Sequence, residues 1–378
     1  MSEYQQLLRP DIRAMDPYTP ILPFEILSRQ LNRDPADIIK LDANENPYGP
    51  APKSRQALAE LTFTHIYPDP ETRLLRAALE DFTGVPADRL LTGAGADELI
   101  DLVLRALLSP GDVVLNCPPS FGMYPFSTAV NMGKVVSIPR RPDFRLDIAG
   151  IAATIQEHPA AKVLFVCSPN NPDGSLIADA DLERLLALPL VVVLDEAYVE
   201  FVSGLRVEND YRPASRIHWT QEFDNLVVLR TFSKWAGLAG LRVGYGAFPT
   251  WLLPHLWKIK QPYNVNVAAE KAARAALADR PWLQDKLERL IAARHNLQQE
   301  LATIAYLEPF PSQANFVLCR VTGRDALALK NRLAAEGILV RYFAKPGLEN
   351  CLRISTGRPE DNDRLLAVLK QLEKSDEA

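Results

Sequence analysis

The 378-residue chain lacks the features that would tie it to a membrane, a disulfide framework or a nucleic acid. Its four cysteines, Cys117, Cys167, Cys319 and Cys351, lie far apart and follow neither disulfide nor metal-ligand spacing, so no metal is expected. Three of them sit in apolar runs of strand character, where buried, reduced thiols are expected; a reducing cytoplasm fits. No run of about 18 apolar residues occurs, so no membrane span is expected. The opening Met1-Ser-Glu-Tyr-Gln-Gln has no basic segment followed by an apolar one, so no secretory signal is expected. A formal net charge of -5 argues against a dedicated nucleic-acid binder, which normally carries a basic stripe. Internal repeats and low-complexity segments are also missing.

What is present is ordinary for a soluble enzyme: 47% hydrophobic and 24% charged residues, enough for a large core. The length points to about two or three domains. Between residues 90 and 248, short apolar runs at 90–92, 113–115, 135–138, 163–166, 190–194, 226–229 and 243–246 alternate with helical patterns such as 96–108 and 179–188. Runs that are continuously apolar are buried on both faces, as in a mostly parallel, helix-covered sheet. The expected class is therefore α/β. Beyond Tyr263 the texture changes. A helical stretch over about 267–301 precedes a strand at 315–321, a helix at 325–336, strands at 338–342 and 351–355, and a final amphipathic helix at about 359–374. This reads as a smaller α+β domain completed by the first 40 or so residues. The expected division is an arm and part of the small domain at 1–45, a large domain at 46–262, and the small C-terminal domain at 263–378.

Polar residues follow several of the strands directly, and in open α/β sheets the ligand crevice lies outside the carboxyl ends of the strands. The run Val228-Leu-Arg-Thr-Phe-Ser-Lys-Trp-Ala-Gly-Leu-Ala-Gly-Leu-Arg242 is the most telling. One lysine to react with an aldehyde, with hydroxyls and an arginine to hold a phosphate, is what pyridoxal phosphate (PLP) requires. A Ser-Lys pair at a strand end is, by itself, also ordinary solvated surface. Thr92-Gly-Ala-Gly-Ala-Asp-Glu-Leu99 reads either as a phosphate-approaching turn before a helix N-terminus or as a plain tight turn. It lacks the third glycine of a dinucleotide fingerprint, which argues against a nicotinamide dehydrogenase. Phe121 can stack on a flat ligand or pack in the core. Ser168-Pro-Asn-Asn-Pro-Asp-Gly174 is turn-forming, with an Asn amide as a candidate donor. Asp195, at the exit of the most hydrophobic strand, needs a cation beside it, because a buried lone carboxylate is costly. Tyr198 follows it by three residues.

Taken in order, Leu41-Asp-Ala-Asn-Glu-Asn-Pro47, Tyr67-Pro-Asp-Pro70, the Gly-Ala-Asp turn, Ser-Pro-Asn-Asn-Pro, Asp195-Glu-Ala-Tyr198, Ser233-Lys234 with Arg242, and Leu352-Arg-Ile-Ser355 resemble the aspartate-aminotransferase fold family of PLP enzymes. Within it the pattern is most similar to the histidinol-phosphate aminotransferases, over about residues 10–370. The resemblance implies fold type I, with a mostly parallel seven-stranded sheet in the large domain. It implies transamination between histidinol phosphate and 2-oxoglutarate, with glutamate as product, in a homodimer with shared active sites. Lys234 would condense with the cofactor and move the proton, and Asp195 would pair with its ring nitrogen. Asn171 and Tyr198 would bond the ring oxygen, and Phe121 would stack on the ring. Gly95, Ala96, Asp97, Thr231, Ser233 and Arg242 would surround the phosphate, joined by Tyr67 from the neighbouring subunit. Arg353 would hold the substrate's anionic group, with Tyr18, Asn44, Tyr124 and Arg341 as further substrate-side residues. Asp173 departs from the family's usual threonine, and the Pro17–Pro23 opening lacks a glycine common there. An aromatic amino-acid aminotransferase and a threonine-phosphate-type decarboxylase are the alternatives within the fold; Asp42-Ala-Asn-Glu-Asn46 looks more like a transaminase. A PLP-fold regulator would need a DNA-binding module for which no residues remain.

Overall fold

The computed structural model describes residues 3–17, 22–205 and 214–376. Among them the strands are β1 (Ile39–Leu41), β2 (Leu90–Gly93), β3 (Val113–Asn116), β4 (Lys134–Ser137), β5 (Val163–Cys167) and β6 (Val191–Asp195). They continue with β7 (Leu226–Thr231), β8 (Gly244–Ala247), β9 (Leu307–Pro309), β10 (Phe316–Val321), β11 (Ile338–Tyr342) and β12 (Cys351–Ser355). Seven of them form one sheet in the order β2-β8-β7-β6-β5-β3-β4. Only β8 runs antiparallel to its neighbours; every other pairing is parallel.

Burial explains why those runs are continuously apolar. Every residue of β5, β6 and β7 is buried. Alternate residues enter different cores, as the pleat demands. Leu164, Val166, Val192, Leu194 and Val228 pack with the helices Arg73–Thr83, Asp179–Leu186 and Val267–Leu277. Val163, Phe165, Val193, Val227 and Leu229 face the helices Ala96–Leu107 and Leu253–Ile259 on the other side. Each such side chain contributes roughly 1.5–3 kcal/mol of burial, so the three central strands are the firm base from which the site projects.

The remaining strands form a second sheet, β1-β11-β12-β10-β9, where β1 from the N-terminal segment pairs in parallel with β11. Its core takes in Leu329 and Leu333 of the helix Ala326–Ala335 and Leu365, Leu366 and Leu369 of the helix Pro359–Asp376. Between the sheets, the helical stretch expected over 267–301 is two helices, Val267–Leu277 and Arg280–Leu301. Pro281 explains the break. It has no N–H to donate and is tolerated only in the first turn, where it stands.

Candidate active site

The carboxyl ends of β5, β6 and β7 open toward the second sheet, and the buried polar residues gather there. Asp195, the last residue of β6, is 3% exposed. Its Oδ1 accepts from the Ala197 N–H at 3.0 Å and its Oδ2 from the Tyr124 hydroxyl at 2.6 Å. Burial pushes its carboxyl up to about 6, against the pull of those two donors. Lys234, just beyond β7, is half-buried and donates its Nζ to the Ala43 carbonyl at 3.1 Å. Burial first, and the positive Arg353 second, lower its pKa to about 8. Neither Asp195 nor Lys234 takes part in an ion pair among the described residues.

Tyr198 lies in the turn after β6. Its hydroxyl accepts from Asn44 Nδ2 at 3.1 Å and from Asn171 Nδ2 at 3.4 Å. The Asn171 side-chain Oδ1 in turn accepts from Arg353 Nη1 at 2.6 Å, and Arg353 Nη2 donates to the Asp42 backbone carbonyl at 2.7 Å. One network thus links the second sheet, through Arg353 of β12, to the loops after β1, β5 and β6.

A second group stands beside it. Thr231 donates to Ser233 Oγ at 2.9 Å and accepts the Ser233 N–H at 3.1 Å, both residues being buried. Arg242 reaches Asp97 at 3.0 Å across the start of the helix Ala96–Leu107. Gly95 has φ +80°, and a Cβ there would come within 2.7 Å of Arg242 Nη2. Only glycine lets the guanidinium lie against this turn. Hydroxyls, a guanidinium and the free N–H groups of a helix start are the donor set of an anion cradle.

Arg341 and Arg353 are direct cross-strand partners in β11 and β12, so two like charges face each other. Both guanidiniums lie over the ring of Phe343, at 5.7 Å and 5.5 Å from its centroid. Arg341 forms no ion pair among the described residues. Like charges directly opposite are unfavourable unless an anion joins them. Lys345, which the sequence did not single out, approaches the start of the helix Met123–Val130. Its Nζ is 3.5 Å from where a Cβ on Gly122 would stand, next to half-buried Phe121.

Two residues expected on the substrate side are buried and bonded within the chain. Tyr124 is fully buried in the helix Met123–Val130 beneath Asp195, because its ring stacks on Phe165 of β5. Asn44 is 1% exposed and is consumed by internal bonds: besides Tyr198, it meets the Ser355 hydroxyl through its N–H and its side-chain oxygen, both at 2.9 Å. Its carbonyl accepts from Asn315 at 2.9 Å. These braces come from far along the chain, and no local signal in the sequence marks them. Tyr67 is 78% exposed and stacks on Tyr263, with ring centroids 4.5 Å apart. Asp173 is turned inward, accepting from Asn170 and from the Ser175 N–H at 2.8 Å, and burial raises its pKa. Tyr18 lies outside the described residues.

Comparison with known proteins bears on the whole of this arrangement. The family model for aminotransferase class I and II matches residues 36–369. The chain belongs to that family. It is 50% identical to the chloroplastic histidinol-phosphate aminotransferase of Nicotiana plumbaginifolia, over 96% of this chain and 86% of that protein. It is also 50% identical to the histidinol-phosphate aminotransferase of Roseiflexus castenholzii, over 97% and 98% of the two chains. Among solved structures it resembles the histidinol-phosphate aminotransferase from Sinorhizobium meliloti in complex with pyridoxal-5'-phosphate, with TM-score 0.86, 30% identity, and coverage of 97% and 98%. The fold expected from the sequence, that of the PLP-dependent aminotransferases with a mostly parallel seven-stranded sheet and a smaller sheet, is the one observed.

Proposed function

We propose that this chain is a PLP-dependent aminotransferase that passes the amino group of histidinol phosphate to 2-oxoglutarate, yielding imidazole acetol phosphate and glutamate. The observation that carries the reading is the juxtaposition at adjacent strand ends of a lysine with lowered proton affinity and a buried carboxylate with raised affinity and no cation. The relatives at 50% identity are named for this activity. The residues fit the cofactor. Asp195 has a place for a protonated ring nitrogen, and the cradle that only Gly95 permits, with Thr231, Ser233 and Arg242, suits its phosphate.

When bound, PLP supplies an aldehyde that condenses with amines and a protonated ring that takes up the electron pair left at the substrate carbon. Lys234, close to half neutral near pH 8, holds and returns the proton at that carbon. Asp195 keeps the ring nitrogen protonated, an electrostatic effect that is among the largest in such sites. Tyr198 and Asn171 orient the ring oxygen, and Phe121 covers one ring face. The N–H groups of Ala96 and Asp97 complete the phosphate cradle, while the Gly95 N–H is held by the Gly93 carbonyl at 2.8 Å. Arg353 and Arg341 take the substrate's anionic end, a task for planar donor forks. The facing arginines favour a substrate that carries a phosphate.

The reading includes a cytoplasmic homodimer in which Tyr67 reaches the neighbouring subunit's cofactor phosphate. Exposed Phe63, Ile66 and Tyr67 support a surface that a second copy covers, and four buried free thiols suit a reducing compartment. It also divides the chain into a cofactor domain at 46–262 and a smaller one at 263–378 joined by residues 1–45. The helix Val267–Leu277 folds back on the large core. The helix Arg280–Leu301 spans both, with Leu283, Leu287 and Leu290 in the large core and Leu297 and Leu301 in the small. Steady-state assays with 2-oxoglutarate as acceptor test the substrate. A kcat/KM for histidinol phosphate about 100-fold or more above that for phenylalanine is expected, and the reverse preference would move the function to aromatic amino acids.

A further inference from the structure

Tyr124 is fully buried, in a position that packing alone would fill with phenylalanine. Its ring lies parallel to Phe165 at 3° with centroids 4.6 Å apart, and meets Phe121 edge-on at 5.5 Å. Yet the residue carries a hydroxyl, and that hydroxyl donates to Asp195 Oδ2 at 2.6 Å. The geometry points to Tyr124 as the positioning residue of Asp195, fixing the carboxylate's orientation and holding it as an anion toward the cofactor's ring nitrogen. The inference rests on the reading of Asp195 given above.

The surroundings of Asp195 leave this task to few groups. Ionisable groups reach it from five places: Tyr124 from the helix Met123–Val130, Cys167 from the end of β5, Asp97 from the start of the helix Ala96–Leu107, Lys234 from the segment after β7, and Tyr198 from the turn after β6. Asp97 opposes its ionisation and Lys234 favours it, both at longer range than the two donors. Among the described residues only the Tyr124 hydroxyl and the Ala197 N–H bond it directly. The backbone donor holds Oδ1, so without Tyr124 the second oxygen would have no fixed partner. A hydroxyl on a carboxylate is a charge-assisted bond, roughly twice as strong as a neutral one. Burial, and then the charge of Asp195, keep the phenol's proton bound far above the pH at which a tyrosine ordinarily loses it. Tyr124 is therefore a permanent donor that never competes as an anion.

The same ring links two functions. Phe121, assigned to the cofactor's face, touches the edge of the ring whose hydroxyl holds Asp195. One buried residue thereby relates the stacking platform to the carboxylate that partners the ring nitrogen. Removing the hydroxyl makes Asp195 more basic, draws the shared proton toward it, and weakens the ring as an electron acceptor. Packing would be kept.

The test compares PLP-loaded wild type, Tyr124→Phe and Asp195→Asn by pH titration of the visible absorbance, together with kcat, KM and the PLP dissociation constant. Tyr124→Phe is expected to raise the titration midpoint by about half a pH unit or more. It should lower kcat about tenfold or more while KM stays within about threefold, and weaken PLP binding. A Tyr124→Phe protein with wild-type midpoint and kcat, while Asp195→Asn moves both, would overturn the positioning role alone. If Asp195→Asn also leaves both unchanged, the assignment of Asp195 fails first. Should Tyr124→Phe not accumulate as folded protein, Tyr124→His retains an aromatic N–H donor. It is expected to hold the midpoint nearer wild type than Tyr124→Leu does, and equality of those two would likewise overturn the role.

Discussion

Two sets of buried charges lie in and just beyond β6 and β7, and they are built to opposite ends. Arg230 of β7 and Glu200 are 2% and 3% exposed and pair at 2.6 Å, with Glu196 close by holding Ser215 and the Arg216 N–H. Their immediate neighbours Thr231 and Asp195 turn to the other face, since successive side chains alternate along a strand. There Asp195 and Lys234 are in no ion pair, and each is shifted toward its neutral form. The first set finds its partner within the chain. The second is the constellation proposed above to meet a ring nitrogen and an aldehyde. Burial of charge alone therefore does not mark a candidate catalytic site; burial of charge without a counter-ion among the described residues points to one.

Mutation should separate the two sets. Lys234→Ala is expected to abolish turnover, by about 10⁴-fold or more, with PLP still bound through its phosphate. Near wild-type kcat in that variant would remove Lys234 from the chemistry. Asp195→Ala should lower kcat by about 10²–10³-fold with the melting temperature nearly unchanged, as for the loss of a preorganised electrostatic partner. Arg230→Met should do the converse: about 3–5 kcal/mol lost in denaturant unfolding, because Glu200 is left alone, with kcat near normal in the protein that folds. If Arg230→Met lowered kcat as Asp195→Ala does, the distinction between the two faces would collapse.

Smaller effects sharpen the comparison. Arg341→Ala should raise KM for histidinol phosphate about tenfold and that for phenylalanine much less, and equal changes would place Arg341 away from the phosphate. Because the Lys234 pKa is lowered to about 8, its free amine forms as pH rises through that value rather than through the ordinary 10.5. The rate at which apo-protein takes up PLP should therefore rise with a midpoint near 8. A midpoint above 10 would show that burial does not depress the lysine.

The sheet was legible in the sequence because continuous apolar runs such as Val191–Leu194 and Val163–Val166 admit little besides strands covered on both faces. Lys234, Asp195 and the Gly95 turn were legible too, because each lies within a few residues of a strand end. Their convergence followed from the crevice at the carboxyl ends of such a sheet, and their roles from the resemblance. Where the site depends on distant chain, the sequence was silent. Nothing local at Asn44 announces that Ser355, 311 positions away, and Asn315 will consume its polar groups. Tyr124 was placed on the substrate side by the resemblance alone. The parallel stack on Phe165 drew it inward, under the carboxylate. The helix expected over 267–301 was divided by Pro281, whose position in a first turn is visible in hindsight as a start signal.

The most direct test of the central claim is a single-turnover mix of PLP-loaded protein with histidinol phosphate, followed by visible absorbance, with phenylalanine in parallel. Rapid loss of the visible band with histidinol phosphate, much faster than with phenylalanine and absent in Lys234→Ala, is the result predicted. A protein that shows no visible band when supplied with PLP would contradict the assignment of Lys234 and the site built around it.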